Sequence, residues 1–388
     1  MPAEVPAPPT QTSAPAAEAR IHRQHSPGLN VIRVISTSVT EFHATLTPLP
    51  GEPLQPLLAR LADTLKHANA TVVRLLAFGS VAAAGPTMTL LRQALRDPEL
   101  PITWIEGAAC DGQPLAGLQL QAIAGTEVER VGHGPGHARL WTDDAARHCV
   151  LSQLGPTRVS ASRPEQARET FELLQAALAE AGMAMNHLVR TWFFLDDILA
   201  WYDDFNRVRN DFFARSELRP GSVPASTGVR GRNSAGAAVA LAAWAVQPLD
   251  PAADTVLIVP SPKQCPAPAY GSAFSRAVEI GSAVARRVLV SGTASIEPGG
   301  RTAHVGDARA QVELTMDVVE AILISRGMSF EDVTRATAYY RLAADAPLFA
   351  DWLERHELRH LPVVHACCDI CRDDLLFEIE VDAVQSSC

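Results

Sequence analysis

The segment AGMAMNHLVRTWFFL at residues 181–195 recurs 145 residues later as RGMSFEDVTRATAYY at 326–340, pairing Gly182 with Gly327, Met183 with Met328 and Arg190 with Arg335. Such a chain must fold as copies of one supersecondary unit, each burying against its neighbours the face it cannot cover alone. Both Gly-Met pairs follow an apolar-periodic stretch. Phe171, Leu174 and Leu178 repeat at i, i+3, i+7, and Val312, Met316, Val319 and Leu323 at i, i+4, i+7, i+11, which predicts an amphipathic helix ended by a glycine and followed by a strand. A second amphipathic stretch comes at about 200–214 and 346–358. Two strand-like runs then begin at Pro224 and Pro362 and end in Ala245-Val246-Gln247 and Ala383-Val384-Gln385, now at an offset of 138. A weaker copy comes first: a helix near 54–68, ATVVRLLAF at 70–78 with Arg74 where Arg190 and Arg335 stand, a helix near 86–96, and strands from Pro101 and Leu118. The order predicts an α+β chain of three tandem ββαβαββ units, at 31–125 (degenerate), 126–248 and 249–388. Residues 1–30 begin rich in Pro, Ala, Ser and Thr, lack the basic and apolar regions of a signal peptide, and read as a disordered tail.

Composition narrows the functional classes. With 47% hydrophobic and 20% charged residues the chain has enough apolar mass for a sizeable core, yet no run approaches the roughly 20 apolar residues of a membrane helix. The net charge of −10, without a basic block, argues against a nucleic-acid partner. Seven cysteines are too few for a disulfide scaffold, and a reducing, cytoplasmic setting is expected. Among them, His365-Ala-Cys367-Cys368-Asp-Ile-Cys371 invites a zinc reading. It lacks a second pair of ligands, and strand alternation sends Cys367 and Cys368 to opposite faces, so no metal is expected. The twelve histidines form no Ser/His/Asp arrangement and Gly299-Gly300 lacks the setting of a phosphate loop, so no cofactor is expected either.

Two patterns could carry chemistry. On the strand Leu375-Leu-Phe-Glu-Ile-Glu-Val-Asp-Ala, alternation puts Glu378, Glu380 and Asp382 on one face, either as a solvated polar row or with Glu378 facing a cleft. Counting back from the shared Ala-Val-Gln, Glu378 corresponds to Ala240 in the second copy, and 115–125 in the first copy holds no carboxylate. On the helix after Arg190, Tyr202, Asn206 and Arg209 form a stripe, either an exposed polar face or a ligand-binding one.

The closing pattern Pro-x-x-(strand)-turn-Phe-Glu-Ile-Glu-Val resembles the RidA/YjgF family, which has a chorismate-mutase-like fold and forms trimers with clefts between subunits. Three such units in one chain resemble, more narrowly, the chorismatases. That match rests on Pro101-Ile-Thr-Trp-Ile-Glu-Gly, Arg190-Thr-Trp, Trp201-Tyr202-x-x-Phe205-Asn206-x-x-Arg209, Pro224-Ala-Ser-Thr-Gly228, Phe274-Ser-Arg276-Ala, Ser291-Gly-Thr-Ala-Ser295 and Cys371-Arg-Asp-Asp-Leu-Leu-Phe-Glu378, in that order along the chain. The resemblance implies a pseudo-trimer with one working cleft, formed by the third unit against the second. It implies that Glu378 is the acid presented to substrate, with Tyr202 and Arg209 as ligands, Arg276 and Arg341 as further cations, Phe274 as a cleft wall and Ala294 beside the turn where Gly292 lets backbone approach a ligand. Arg341 could equally pair with Asp345 on the surface.

The expected reaction splits chorismate into pyruvate and a hydroxybenzoate, 3-hydroxybenzoate above all with 4-hydroxybenzoate as a co-product, without a cofactor. The resemblance ties Cys371 to hydroxybenzoate formation and an alanine there to hydrolysis, which leaves a dihydroxy-cyclohexadiene carboxylate. The alternatives are a RidA-like enamine or imine deaminase and a non-catalytic metabolite-binding module. A pseudo-trimer has already covered its internal interfaces, so a monomer is expected.

Overall fold

A computed structural model describes residues 19–132, 137–219, 223–253 and 255–387. Three sheets follow one another along the chain. The first contains, in spatial order, Arg20–Ser26, Leu29–Ile35, Thr40–Leu46, Leu115–Ala124, Thr71–Gly79 and Ile102–Glu106. In the second the order is Glu129–Val131, His137–Thr142, Ala146–Leu154, Val239–Pro248, Leu188–Leu195 and Ala225–Arg230. The third runs Val256–Val259, Ala277–Gly281, Ala285–Ala294, Phe377–Ser386, Val333–Tyr340 and Val363–Cys367, and gains a seventh strand, Ala108–Ala109, from the first unit. Each sheet thus repeats an antiparallel meander, the closing strand of its unit, the strand after the first helix, and a parallel strand after the second.

The α+β class and the tandem RidA-like arrangement match the sequence pattern, with one added strand before the first helix of each unit. These added strands are sheet edges, short or largely exposed, and carry no apolar alternation to mark them. One of them corrects the N-terminal boundary. Arg20–Ser26 lies inside the stretch read as a disordered tail, yet pairs along its whole length with Leu29–Ile35. Its polar sequence RIHRQHS hides a strand held by backbone hydrogen bonds rather than by burial. Residues 1–18 lie outside the described residues.

The paired helices are Leu54–His67 with Val81–Leu95, Arg163–Glu180 with Ile198–Arg215, and Ala308–Ile324 with Ala346–Arg355. Apolar stripes seat them on their own sheets, Phe171, Leu174 and Leu178 against Leu241 and Ala243, and Val312, Met316, Val319 and Leu323 against Val288, Ile379 and Val381. Gly182 and Gly327, both at φ +69°, end the first helices of the second and third units; in the first unit Asn69 takes the left-handed conformation at φ +50°. The opposite faces of all three sheets meet in a separate core that includes Phe78, Trp192, Phe194, Trp244 and Tyr339. Among the described residues no helix is long and apolar enough to cross a membrane.

Arg74, Arg190 and Arg335 converge at the centre of this core. Each follows a one-residue register shift against its closing strand, at Val72/Arg74, Leu188/Arg190 and Val333/Arg335. A bulge of this kind re-aims the next side chain. The three guanidinium carbons lie 4.4, 4.9 and 5.5 Å from the Trp192 ring. Two carboxylates of the third unit hold them together. Glu380 accepts from Arg190 at 2.7 Å and from Arg335 at 2.8 Å, and Asp382 accepts from Arg335 Nε at 2.8 Å with Arg74 at 3.8 Å. Burial disfavours every charge here. For Asp382 it is outweighed by Arg335 and Arg74, which leave its pKa at about 2. Arg74, held only by the longer contact to Asp382, is lowered by burial and by the repulsion of Arg335 to about 9, and stays ionised at neutral pH.

Removing one partner of a buried ion pair strands the other charge, at a cost of about 3–5 kcal/mol. Glu380→Ala should therefore lower unfolding stability by that order in urea titration. Arg355→Ala, which breaks the exposed pair with Glu313, should cost less than about 1 kcal/mol.

Candidate active site

Alternation along Phe377–Ser386 sends Glu378, Glu380 and Asp382 to one face, as the sequence predicts, but that face is not a solvated row. Glu380 and Asp382 enter the arginine cluster, fully or almost fully buried. Water cannot reach them because the face points to the centre of three sheets rather than outward. Glu378, nearer the strand's start, opens into a cavity between the second and third units.

Tyr202, Arg209, Phe274, Arg276, Ala294 and Cys371 line that cavity together with Glu378. Ala294 stands directly opposite Glu378 in the strand ladder. Tyr202 and Arg209 come from the helix Ile198–Arg215, which breaks its helical path at Trp201 (φ −150°, ψ 17°) just before Tyr202. Asn206 accepts a 2.6 Å hydrogen bond from Arg209, whose guanidinium lies 5.5 Å from the Phe205 ring. Arg276 donates twice to the Cys265 carbonyl, at 3.0 and 2.9 Å, and lies between the rings of Tyr270 and Phe274. Arg341 is a correction. It is not among the residues lining the cavity: its backbone stays paired to Leu376 just past the strand end at Tyr340, and its Nε lies 3.9 Å from Asp369.

Sequence reasoning missed Tyr270 and Arg372, which also line the cavity and lie 5.4 Å from one another. Tyr270 sits on a short 3-10 turn, Ala267–Tyr270, after a proline-rich stretch with no periodicity to read. Arg372 follows Cys371 in a loop and anchors to the Gly300 carbonyl at 2.9 Å.

Burial, then the negative charge of Glu380, raises the Glu378 pKa to about 8, against a smaller opposing effect of Arg190. Glu378 is therefore largely protonated at neutral pH and can give up a proton inside the cavity. Burial, then Glu378, pushes the Cys371 thiol up to about 12, so it is a neutral donor. Burial likewise keeps Tyr202 protonated. Gly292 makes room for the acid, since a Cβ there would overlap Glu378 Oε1. The Gly292 amide donates to Thr227 Oγ1 at 3.0 Å; that hydroxyl accepts from Arg190 at 2.7 Å and donates to Glu380 at 2.5 Å.

The sheet registers locate the equivalents of Glu378. Tyr339 pairs with Glu378, Phe194 with Ala240 and Phe78 with Gly117. Between the first and second units a cavity of about 250 Å³ retains the same backbone-to-threonine bond, from Gln153 N to Thr103 Oγ1 at 3.1 Å, but Ala240 replaces the acid and no charged side chain lines it. At the third junction Val364 occupies the space, and a Cβ at Gly117 would lie 2.8 Å from its Cγ2. Another, small cavity lies between Glu41, His148 and Arg287. Its charges are already matched, Glu41 by Arg287 at 2.6 Å and His43 at 2.9 Å, and His148 by Asp143 at 2.9 Å.

The cysteine cluster disperses. Cys367 faces Cys110, Cys368 enters the central core and Cys371 lines the cavity. No group of three or more His, Cys, Asp or Glu placed to hold a metal occurs among the described residues.

Comparison with known proteins agrees with this architecture. The profile of the family described as Endoribonuclease L-PSP, the RidA family, matches residues 153–246, within the second unit. A 3-hydroxybenzoate synthase from Streptomyces hygroscopicus is 28% identical over 243 residues, 56% of this chain and 68% of that protein. A chorismatase from the same organism is 28% identical over 50% of this chain and 60% of its own length. A crystal structure of a chorismatase superposes with a TM-score of 0.63 at 20% identity, covering 90% of this chain and all of that one, and so shares the fold. With three sheets of one topology and one acid-bearing junction among the described residues, the chain is similar to the chorismatases in sequence and shares their fold.

Proposed function

We propose that the chain converts chorismate to pyruvate and a hydroxybenzoate, 3-hydroxybenzoate foremost with 4-hydroxybenzoate as a co-product. The observation that carries this reading is a buried carboxyl, raised to about 8, that faces a cavity also lined by Arg209, Arg276 and Arg372. Chorismate is a dicarboxylate with an enol ether. Arg209 and Arg276 would hold its two carboxylates, since planar guanidinium groups suit such partners. Glu378 would give its proton to the enolpyruvyl methylene; pyruvate would then leave with the C3 ether oxygen as the C4 hydroxyl oxygen closes onto C3 and gives up its proton, and the resulting 3,4-epoxide would open with loss of a ring proton, at C4–O to 3-hydroxybenzoate or at C3–O to 4-hydroxybenzoate. Chorismate then equals pyruvate plus hydroxybenzoate, atom for atom, whereas hydrolysis to the dihydroxy-cyclohexadiene carboxylate consumes one water. The name of the 3-hydroxybenzoate synthase relative supports the first outcome, as does Cys371 beside the acid. The reading further takes the chain to act as a monomer in the cytoplasm. Incubation of the purified protein with chorismate, followed by chromatography for pyruvate and aromatic acids, tests the whole reading; absence of both products would overturn it.

Three variants test the parts. Glu378→Gln should lower pyruvate release by about 10²–10⁴-fold, the usual share of general acid catalysis. In the wild type, kcat/KM should fall as pH rises through about 8, because the acid must be protonated to act. The sign for stability is the same: a carboxyl whose folded pKa exceeds its unfolded one holds its proton tighter when folded, so stability declines between about pH 4.5 and 8. The Gln variant, freed of that loss, should match the wild type near pH 4 and exceed it by more than about 1 kcal/mol at pH 8.5 in denaturant titration.

Arg209→Ala removes a charged hydrogen-bond donor worth about 1.5–3 kcal/mol. A loss of at least about tenfold in kcat/KM with unchanged circular dichroism is expected. Cys371→Ala should leave pyruvate yield near normal and move the aromatic product toward the dihydroxy-cyclohexadiene carboxylate; an unchanged product ratio would make Cys371 a wall of the cavity and nothing more.

A further inference from the structure

Cys110 and Cys367 meet across the seam between the first and third units. Ala108–Ala109 pairs antiparallel with the end of Val363–Cys367, Cys367 standing opposite Ala108, and the two Sγ atoms lie 2.9 Å apart. The residues are 257 positions apart in sequence, and both are half-buried. A disulfide requires a separation of about 2.05 Å, a closure of less than about 1 Å. Cys149 and Cys368, by contrast, are buried, and Cys371 belongs to the cavity.

We propose that Cys110 and Cys367 form a covalent modification site, oxidised by a low-molecular-weight disulfide into a bond that staples the first unit to the third. The Cys367 thiolate attacks one sulfur of the reagent and expels a thiolate, leaving a mixed disulfide. Cys110 then loses its proton, attacks the Cys367 sulfur and expels the second thiolate. Two protein thiols are oxidised by two electrons, one reagent disulfide is reduced, and both protons end on the released thiols. The order of attack follows from the hydrogen bond between them, which lowers the Cys367 pKa and raises that of Cys110. The staple also reaches toward the cavity. Cys367 precedes Cys371 by four residues, and the intervening backbone is held where Cys368 N donates to the Tyr340 carbonyl and Arg230 N to the Asp369 carbonyl, both at 2.9 Å. Oxidation would therefore fix the root of the segment that carries Cys371.

The test equilibrates the full chain with oxidised glutathione, blocks free thiols by alkylation, and maps a non-reduced digest by mass spectrometry. One linked pair of peptides containing Cys110 and Cys367 is expected, with a rise in Tm of at least about 3 °C, as closing a long loop stabilises most, and reversal of both by dithiothreitol. Cys110→Ser should abolish the rise and leave glutathione on Cys367. Alkylation of both residues, glutathione on each, or a bond from Cys367 to another cysteine would overturn the proposal. The wild-type peptide map alone decides the pairing, whatever the stability of the variant.

Discussion

Three guanidinium groups buried around one indole would repel one another apart, and the rest of the fold is arranged so that they do not. Arg74, Arg190 and Arg335 come one from each unit, but the two carboxylates that hold them, Glu380 and Asp382, both come from the third. The third unit is thus the counter-charge for the other two. Glu380 is satisfied from both sides, by Arg190 with Thr227 and by Arg335, so its charge is fixed in place two residues from Glu378. The interaction that binds the units together is therefore also one that raises the pKa of the acid in the cavity.

Near-symmetry of the backbone contrasts with asymmetry of the chemistry. All three junctions derive from one topology, yet one holds an acid and cations, one is open and uncharged, and one is filled by Val364. A trimer of identical subunits would have to carry the same residue at all three places. A fused chain is free of that requirement, and here one of the other two junctions has lost its charges and the other is filled by packing, while the central cluster still depends on every unit.

Much of this was legible in the sequence because repeats expose themselves by offset. The Gly182 and Gly327 helix ends, the Tyr202–Arg209 stripe and the common face of Glu378, Glu380 and Asp382 all follow from spacing. What alternation cannot say is which side of a sheet faces water, so Glu380 and Asp382 could be read as solvated when they are the most enclosed carboxylates of the strand. Edge strands such as Arg20–Ser26 leave no apolar signature, since backbone pairing alone places them. Tyr270 and Arg372 reach the cavity from irregular segments, where no period exists to extrapolate.

Gly292 and Glu378 occupy one volume between them, and the second unit shows what happens when that volume is shared differently. At the equivalent of Gly292 stands Gln153, whose backbone makes the same bond to a threonine, and at the equivalent of Glu378 stands Ala240. A side chain on one strand accompanies the loss of the carboxyl on the other. The two junctions thus differ on both strands at once, glycine with acid at one and side chain with alanine at the other, so the chemistry of a junction belongs to a pair of positions and not to either residue alone.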